Sequence, residues 1–450
     1  MKLHLIRSCH SCFGTQTDVS WFFTMSQQVV PGKIVHLKDI KNVSGTFCIL
    51  PWIHIHTIPA GKAAPCCISN SCTTDDGVGS SLTSNLKELV NSEKMKKLRL
   101  DMLAGVRNKE CKICYQHEDA GISSFRNASI KDFGQYYEEV IEQTNDDGSL
   151  KEFRMRYFDM RVSNICNFKC RTCDQNYSSQ WEQENKRHKH PTIHFSPLPK
   201  NKNKQLIYDV IEQIDYMDAA YFAGGEPLIT EEHYILLEEM IRRNRTDIKL
   251  RYNTNLSNLK YKDKDILNLW KNFKNKIDIY ASIDHFGKRA EYIRHGTEWN
   301  VIESNFKLVQ NQKFIHLQIN TVLSLFNLLT IDEFYKYLIT NRLYSCNSRV
   351  FMLYPMSSPE YLSTHALPKE YKYKGKQSLE RTKQLLIDNN FKNAHIDQIN
   401  SAINWIDASS IWEEQKAEFR RETIRVDKIR NENFSKVFPE LANLLEENND

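Results

Sequence analysis

The stretch Cys166-Asn167-Phe168-Lys169-Cys170-Arg171-Thr172-Cys173 decides the reading of this chain. Its spacing, C-x3-C-x2-C, places three thiols on one short loop directly after Tyr157 to Val162, a run that reads as a strand. Three thiolates so placed can wrap one face of an iron–sulfur cubane, since cysteine thiolates are the usual ligands of such clusters. The fourth iron is then left open, and an open position on a metal is a reaction site. The competing reading is structural zinc, which prefers four ligands, commonly in paired knuckles.

Outward from this loop the pattern alternates between strands and helices. Strands are expected at Tyr157 to Val162, Ala219 to Ala223, Lys249 to Thr254, Ile277 to Ile283, Leu317 to Leu323 and Arg349 to Tyr354. Helices are expected at Leu206 to Ile214, Glu231 to Arg243, Asp263 to Phe273 and Val301 to Gln310. Such alternation argues for an α/β fold of parallel βαβ units, either a doubly wound sheet or a partial barrel. In both, loops at the C-terminal ends of strands carry the chemistry. Ala223-Gly224-Gly225-Glu226-Pro227 closes the second strand. Its glycines permit unusual backbone angles and close ligand approach, and Glu226 offers acceptors to an ammonium.

The cysteine loop and Gly224-Gly225-Glu226-Pro227, one strand apart, resemble the radical S-adenosylmethionine (radical SAM) superfamily. That family carries C-x3-C-x2-C after its first strand and a G-G-E-P motif, which holds the methionine amino group, after its second. The resemblance covers about residues 150 to 356 and implies a partial (β/α)6 TIM-like barrel. It implies a [4Fe–4S] cluster on Cys166, Cys170 and Cys173, with S-adenosylmethionine chelated at the open iron. By the same resemblance Ser282 on the fourth strand reaches the cofactor ribose, Arg294 holds its carboxylate, and Asp284 faces the substrate. The chain departs from the family at Thr172, where an aromatic residue is common, and at Asn253-Thr254-Asn255-Leu256, where relatives often show T-N-G. The implied reaction is reductive cleavage of S-adenosylmethionine to a 5′-deoxyadenosyl radical that abstracts hydrogen from a substrate. The implied partners are a small-molecule or peptide/protein substrate and a reductant such as flavodoxin or ferredoxin.

A second constellation precedes the first: Cys48-x12-Gly61-x4-Cys66, then Cys111-x2-Cys114. It resembles the SPASM and twitch domains of some radical SAM enzymes, whose opening motif ends G-x4-C and whose later cysteines complete an auxiliary [4Fe–4S] cluster. Twitch-like is the closer label, because the further cysteines of a full SPASM domain are missing. In familiar members this domain follows the barrel, whereas here it precedes it. Gly61 is expected to make the hairpin turn that returns Cys66 toward Cys48. Cys67 stands beside a ligand and can substitute for it. Structural zinc is the alternative for these four cysteines as well.

The remaining features set limits. The 450-residue chain has 12 cysteines, 61 basic and 56 acidic residues and a formal charge of +5, which excludes a strongly electrostatic binder. Hydrophobic residues at 40% and charged ones at 26% describe an ordinary globular composition. No apolar run reaches the ~18 residues of a membrane span, and Arg7, His10, Gly14 and Asp18 interrupt any secretory signal. A cytoplasmic protein is expected, in which cysteines are free for metal rather than disulfides.

The expected organisation is an N-terminal extension (1–46, with translation starting at Met25), a cysteine-rich α+β auxiliary domain (47–126), a linker (127–149), the core (150–356) and a helical C-terminal region (357–450) that packs outside it. Within the auxiliary domain, alternation in Trp52-Ile53-His54-Ile55-His56 suggests a strand with two exposed histidines, and Asn85 to Leu103 has helical spacing ending at Gly105. Glu118 and Arg126 are a surface or interface ion pair or a substrate anchor. Cys9, Cys12 and Cys346 receive no role. The basic run Lys186-Arg187-His188-Lys189-His190, with Lys200, Lys202 and Lys204, is a solvated loop or a weak nucleic-acid contact. The competing class for the whole chain is a non-catalytic zinc-binding protein.

Overall fold

Runs that are apolar on both faces must be covered on both, and this draws the six expected strands into one sheet. The computed structural model describes residues 45–73, 77–119, 121, 123–190, 200–344 and 351–446. Three short strands come first: β1 (His56–Thr57), β2 (Lys62–Ala64) and β3 (Gly79–Ser80). Ten more follow: β4 (Tyr157–Met160), β5 (Lys169–Cys170), β6 (Ala219–Phe222), β7 (Lys249–Thr254), β8 (Lys260–Tyr261), β9 (Lys264–Asp265), β10 (Ile277–Ser282), β11 (Arg294–His295), β12 (Ile315–Leu323) and β13 (Phe351–Pro355). The main sheet runs β13-β12-β10-β7-β6-β4-β1-β2-β3. From β4 to β13 its strands are parallel and follow one another in chain order. Registers such as Tyr157↔Ala219 and Ile277↔Ile315 bring the C-terminal ends of the strands to one side.

Helices fill the crossovers: Lys200–Ile211, Glu231–Arg242, Ile266–Trp270, Trp299–Gln310 and Ile331–Thr340. In Trp299–Gln310 the buried residues Trp299, Ile302, Phe306 and Val309 recur at helical spacing. Each such side chain contributes about 1.5–3 kcal/mol by leaving water.

The N-terminal segment departs from expectation in two places. Trp52 to His56 is not one strand: Pro51 in the first turn pre-sets a short helix, Leu50–Ile53, and only β1 follows. Asn85 to Leu103 is two helices, Leu86–Val90 and Glu93–Leu103. The break falls at Asn91, whose side chain bonds the backbone of Leu150 through both its amide nitrogen and its oxygen. β1 pairs in parallel with β4, His56 opposite Asp159, so this segment extends the main sheet at its first-strand edge. The polar stretch read as part of a linker is a closed turn, with Thr144 bridged to Leu150. Arg99, fully buried, donates to the carbonyls of Pro51, Val90 and Gly148 and fixes that turn.

The C-terminal region is helical as expected: Lys369–Asp388, Asn393–Ile406 and Trp412–Arg430, then a short helix, Phe434–Val437. It does not lie outside the core. Leu379, Phe419, Phe434 and Phe438 are fully buried in the same apolar cluster as the sheet. No described helix is long and apolar enough to cross a membrane. Cys9, Cys12, Met25, Cys346 and the side chains of Lys200, Lys202 and Lys204 lie outside the described residues. The described part of the basic run ends the helix Ser179–Arg187, and Lys186 to Lys189 are exposed there.

Candidate iron–sulfur and cofactor site

The loop leaving β4 carries Cys166, Cys170 and Cys173. Its shape is set by backbone bonds from all sides. Phe168 N–H points at Cys166 Sγ (3.4 Å), Cys173 N–H donates to Cys170 O (3.0 Å), and Trp181 Nε1 donates to the same carbonyl (2.8 Å). Cys170 in β5 pairs with Arg294 in β11. Burial pushes all three thiols above their usual range, and Cys166 and Cys173 each feel the charge of Cys170 as well. Buried thiols that crowd one another stay protonated unless a metal replaces the protons, which is the donor chemistry an iron–sulfur cluster uses. Thr172 is half-buried in this loop.

The G-G-E-P segment lies directly against the loop. Gly225 N–H donates to Ser163 O (3.2 Å) and Glu226 N–H to Ile165 O (2.7 Å). A β-carbon on Gly225 would sit 2.2 Å from Ile165 O, so only glycine permits this approach. Gly224 has φ +125°, and its position lies against the Arg161 side chain. Pro227 begins a single 3-10 turn. Glu226, 2% exposed, accepts from Leu228 N–H (3.0 Å), Thr254 Oγ1 (2.6 Å) and Asn255 N–H (2.7 Å). Burial raises its pKa to about 7 against these donors, which lower it. Its carboxylate thus locks the second-strand loop to the end of the third strand. Asn255 donates to Asn167 (3.1 Å), and Asn167 to Ser257 (2.9 Å), which carries the link into the cysteine loop. Leu256, where relatives often have glycine, takes the left-handed φ of +54°.

Arg294 reaches the same loop. Its Nη1 points at Cys170 Sγ (3.8 Å), while Nε is 2.8 Å from Asp284 Oδ2. Asp284 is 1% exposed and also accepts from Val322 N–H (2.8 Å). It is spent inside the fold as the partner of Arg294 rather than facing outward. Ser282 ends β10, half-buried and opposite Asn320.

Behind the loop stands the C-terminal region, a contribution that sequence reading missed. Arg171, 6% exposed, pairs with Asp427 and Glu432 and lies 3.7 Å from the Tyr292 ring centroid. Arg430 pairs with Glu184 (2.8 Å), donates to Lys169 O (2.9 Å) and stacks on Trp181. The hydrogen-bonded partners are more than 240 residues apart in sequence, so no local pattern announces them.

The second cysteine group is gathered by the N-terminal segment. Gly61, at φ +85°, turns β1 into β2 with Gly61 N–H on Ile58 O (2.8 Å) and carries the chain back to Cys66. Cys111 ends a 3-10 turn and Cys114 lies in the helix Lys112–Asp119. Glu110 accepts from Ser71 N–H (2.8 Å) and Ser71 Oγ (2.6 Å), which holds the Cys66 loop to the Cys111 turn. Burial raises Cys48 to about 12 and Cys114 to about 11, and it raises Cys66 and Cys111 well above the usual thiol range. Cys66 feels Cys114, Cys111, Cys48 and Cys72 in turn, so the four lie together with Cys72 beside them. Cys67 acts instead on Tyr157 of β4, and Cys72 donates to Cys66 O (3.1 Å). Glu118 and Arg126 are not a surface pair. Arg126 is 5% exposed, donates to Phe47 O (2.7 Å), and its charge reaches Cys48 and Cys114. His54 and His56 are not exposed either: both are fully buried against β4.

Residues 160–338 match the radical SAM superfamily model, and residues 48–116 match SPASM, an iron–sulfur cluster-binding domain. No curated protein matches the chain. Among solved structures it is similar to native anSMEcpe with bound AdoMet and Cp18Cys peptide: 15% identity, 52% of this chain, 62% of that chain, TM-score 0.36. The same enzyme with bound AdoMet matches at 15% identity, 52% and 63% coverage and a TM-score of 0.37. TYW1 with a lysine-pyruvate adduct bound matches at 13% identity, 53% and 72% coverage and a TM-score of 0.26. The chain thus spans 62% of the length of the first of these structures. A radical SAM domain implies a [4Fe–4S] cluster and S-adenosylmethionine, and a SPASM domain implies auxiliary iron–sulfur binding. Residues 160–338 thus carry a radical SAM domain, and residues 48–116 carry an iron–sulfur cluster-binding domain that precedes it.

Proposed function

We propose that Cys166, Cys170 and Cys173 hold a [4Fe–4S] cluster, that Gly224, Gly225, Glu226, Pro227, Ser282 and Arg294 line the S-adenosylmethionine site beside it, and that the protein is an enzyme oxidising or otherwise modifying a peptide side chain or a small polar metabolite. The observation that carries this reading is the seating of Gly225 against Ile165 O, which joins the two motifs into one surface. Bound there, cluster and cofactor together would supply reductive cleavage to a 5′-deoxyadenosyl radical and hydrogen abstraction from the substrate.

The chain's own residues perform the positioning. Glu226 ties two strand ends and, with three of its roughly four acceptor sites taken, keeps about one for an ammonium. Arg294 sets a positive charge beside Cys170, offsetting thiolate charge where burial would otherwise resist it. Arg171 and Arg430 tie the cysteine loop and the helix after it to the C-terminal region through their carboxylate partners.

Cys48, Cys66, Cys111 and Cys114 are the ligands we propose for the auxiliary [4Fe–4S] cluster, within a domain spanning 47–126. The stretch 127–149, expected as a linker, is mostly helical, in Phe125–Phe133 and Tyr137–Glu142, and ends in the closed turn; it leads to the core, 150–356, in which the consecutive parallel strands form a partial (β/α)6 barrel, and 357–450 is the C-terminal region. A flavodoxin or ferredoxin of the cytoplasm is the reductant we propose.

Electron paramagnetic resonance of the reduced, reconstituted protein tests the reading. Adding S-adenosylmethionine shifts the signal of one cluster in the wild type, and Cys166→Ala removes that signal. A spectrum indifferent to the cofactor contradicts the assignment.

A further inference from the structure

One polar group serves neither thiol constellation. His54, His56 and Asp159 are all fully buried where β1 lies alongside β4. One donor atom from each lies within 4.8 Å of the other two.

The imidazoles are oriented as metal ligands are. His54 Nδ1 is 2.9 Å from Tyr157 O and His56 Nδ1 is 2.8 Å from Asp159 O. A carbonyl oxygen can only accept, so each Nδ1 carries the proton and each Nε2 of the neutral ring carries a lone pair. Metal-bound histidines use this arrangement, the second nitrogen donating to a backbone carbonyl or carboxylate. His54 Nε2 is shielded from solvent and has no hydrogen-bond partner among the described residues. A buried acceptor left so is destabilising, and a cation bound there would relieve it.

We propose that His54, His56 and Asp159 form a site for a divalent borderline metal ion, zinc fitting best, that fastens the cysteine-rich segment to the first strand of the core. The chemistry of the donors selects the ion. Two imidazoles and one carboxylate suit zinc or a similar transition metal, whereas magnesium and calcium require several oxygen ligands. Asp159 Oδ1 pairs with Arg161 (2.9 Å), and Oδ2 lies on the His56 side, 3.6 Å from Nδ1. The proposal stands independently of what the thiols bind.

The test is zinc itself, added to protein already carrying its iron–sulfur clusters and then gel-filtered. The expected result is one more zinc per chain in the wild type than in His54→Gln/His56→Gln, with iron content equal in both. Zinc K-edge absorption of the wild type reads the same point without a mutation: nitrogen and oxygen neighbours near 2.0–2.1 Å with imidazole scattering. Equal zinc in the two proteins, or a zinc shell made of sulfur alone, overturns the proposal.

Discussion

Gly225 is the residue on which the two motifs depend. Replacing it with alanine drives a β-carbon into Ile165 O, at 2.2 Å, and into the Asn164 and Ile165 carbonyl carbons, at 2.8 Å. Backbone cannot swing aside as a side chain can. Gly225→Ala is therefore expected to cost about 1–3 kcal/mol and to empty the Cys166 loop of iron, read by thermal melting and iron analysis. The motif itself was legible in sequence; what the glycine touches was not, because Ile165 is sixty residues earlier. Two buried histidines set a pH dependence. Burial lowers His233 and His285 to about 3, and each ring is committed in its neutral form, His285 accepting from Phe286 N–H (2.9 Å). The unfolded chain takes up these protons near pH 6.5 and the folded chain does not. Stability is thus complete above that pH and falls as pH drops toward 3, by up to about 1.4 kcal/mol per pH unit for each histidine. Urea unfolding at pH 6.5, 6.0 and 5.5 should show the slope, reduced by about that amount per unit in His233→Gln.

Among the elements, the helix Trp412–Arg430 and the turn after it carry the largest unannounced contribution. Asp427 accepts from Arg171, from Tyr292 Oη (2.7 Å) and from Phe434 N–H (2.7 Å). Removing its carboxylate leaves a buried guanidinium with only Glu432, a change that typically costs about 3–5 kcal/mol. Asp427→Ala is expected to lower stability by that order and to loosen the cysteine loop; chemical denaturation and the rate of iron loss to a chelator measure both. Strand positions were readable because β-strand alternation and apolar runs are local. The helix Leu50–Ile53 was misread because two isoleucines alternate with histidines there, while Pro51 decides the backbone. The histidines were misjudged as exposed because β4, which covers them, lies 103 residues on. Charge pairs between the C-terminal region and the loop have no local signal at all.

Across the whole molecule, both cysteine groups, the G-G-E-P turn and the C-terminal region converge on one continuous apolar core, joined at the first-strand edge by β1. The two domain matches were legible because metal binding demands fixed residue types at short spacings. The supporting shell was not, because burial and pairing are properties of the folded chain. If the auxiliary group is independent of the catalytic one, replacing Cys166, Cys170 and Cys173 together by alanine should leave about four irons per chain, by elemental analysis. The most direct measurement is made anaerobically on reconstituted wild-type protein with dithionite and S-adenosylmethionine, following 5′-deoxyadenosine by mass spectrometry. The account predicts that 5′-deoxyadenosine forms and that Cys166→Ala abolishes it. Protein with a full complement of reduced iron–sulfur that forms none, or a variant that forms as much, would contradict it.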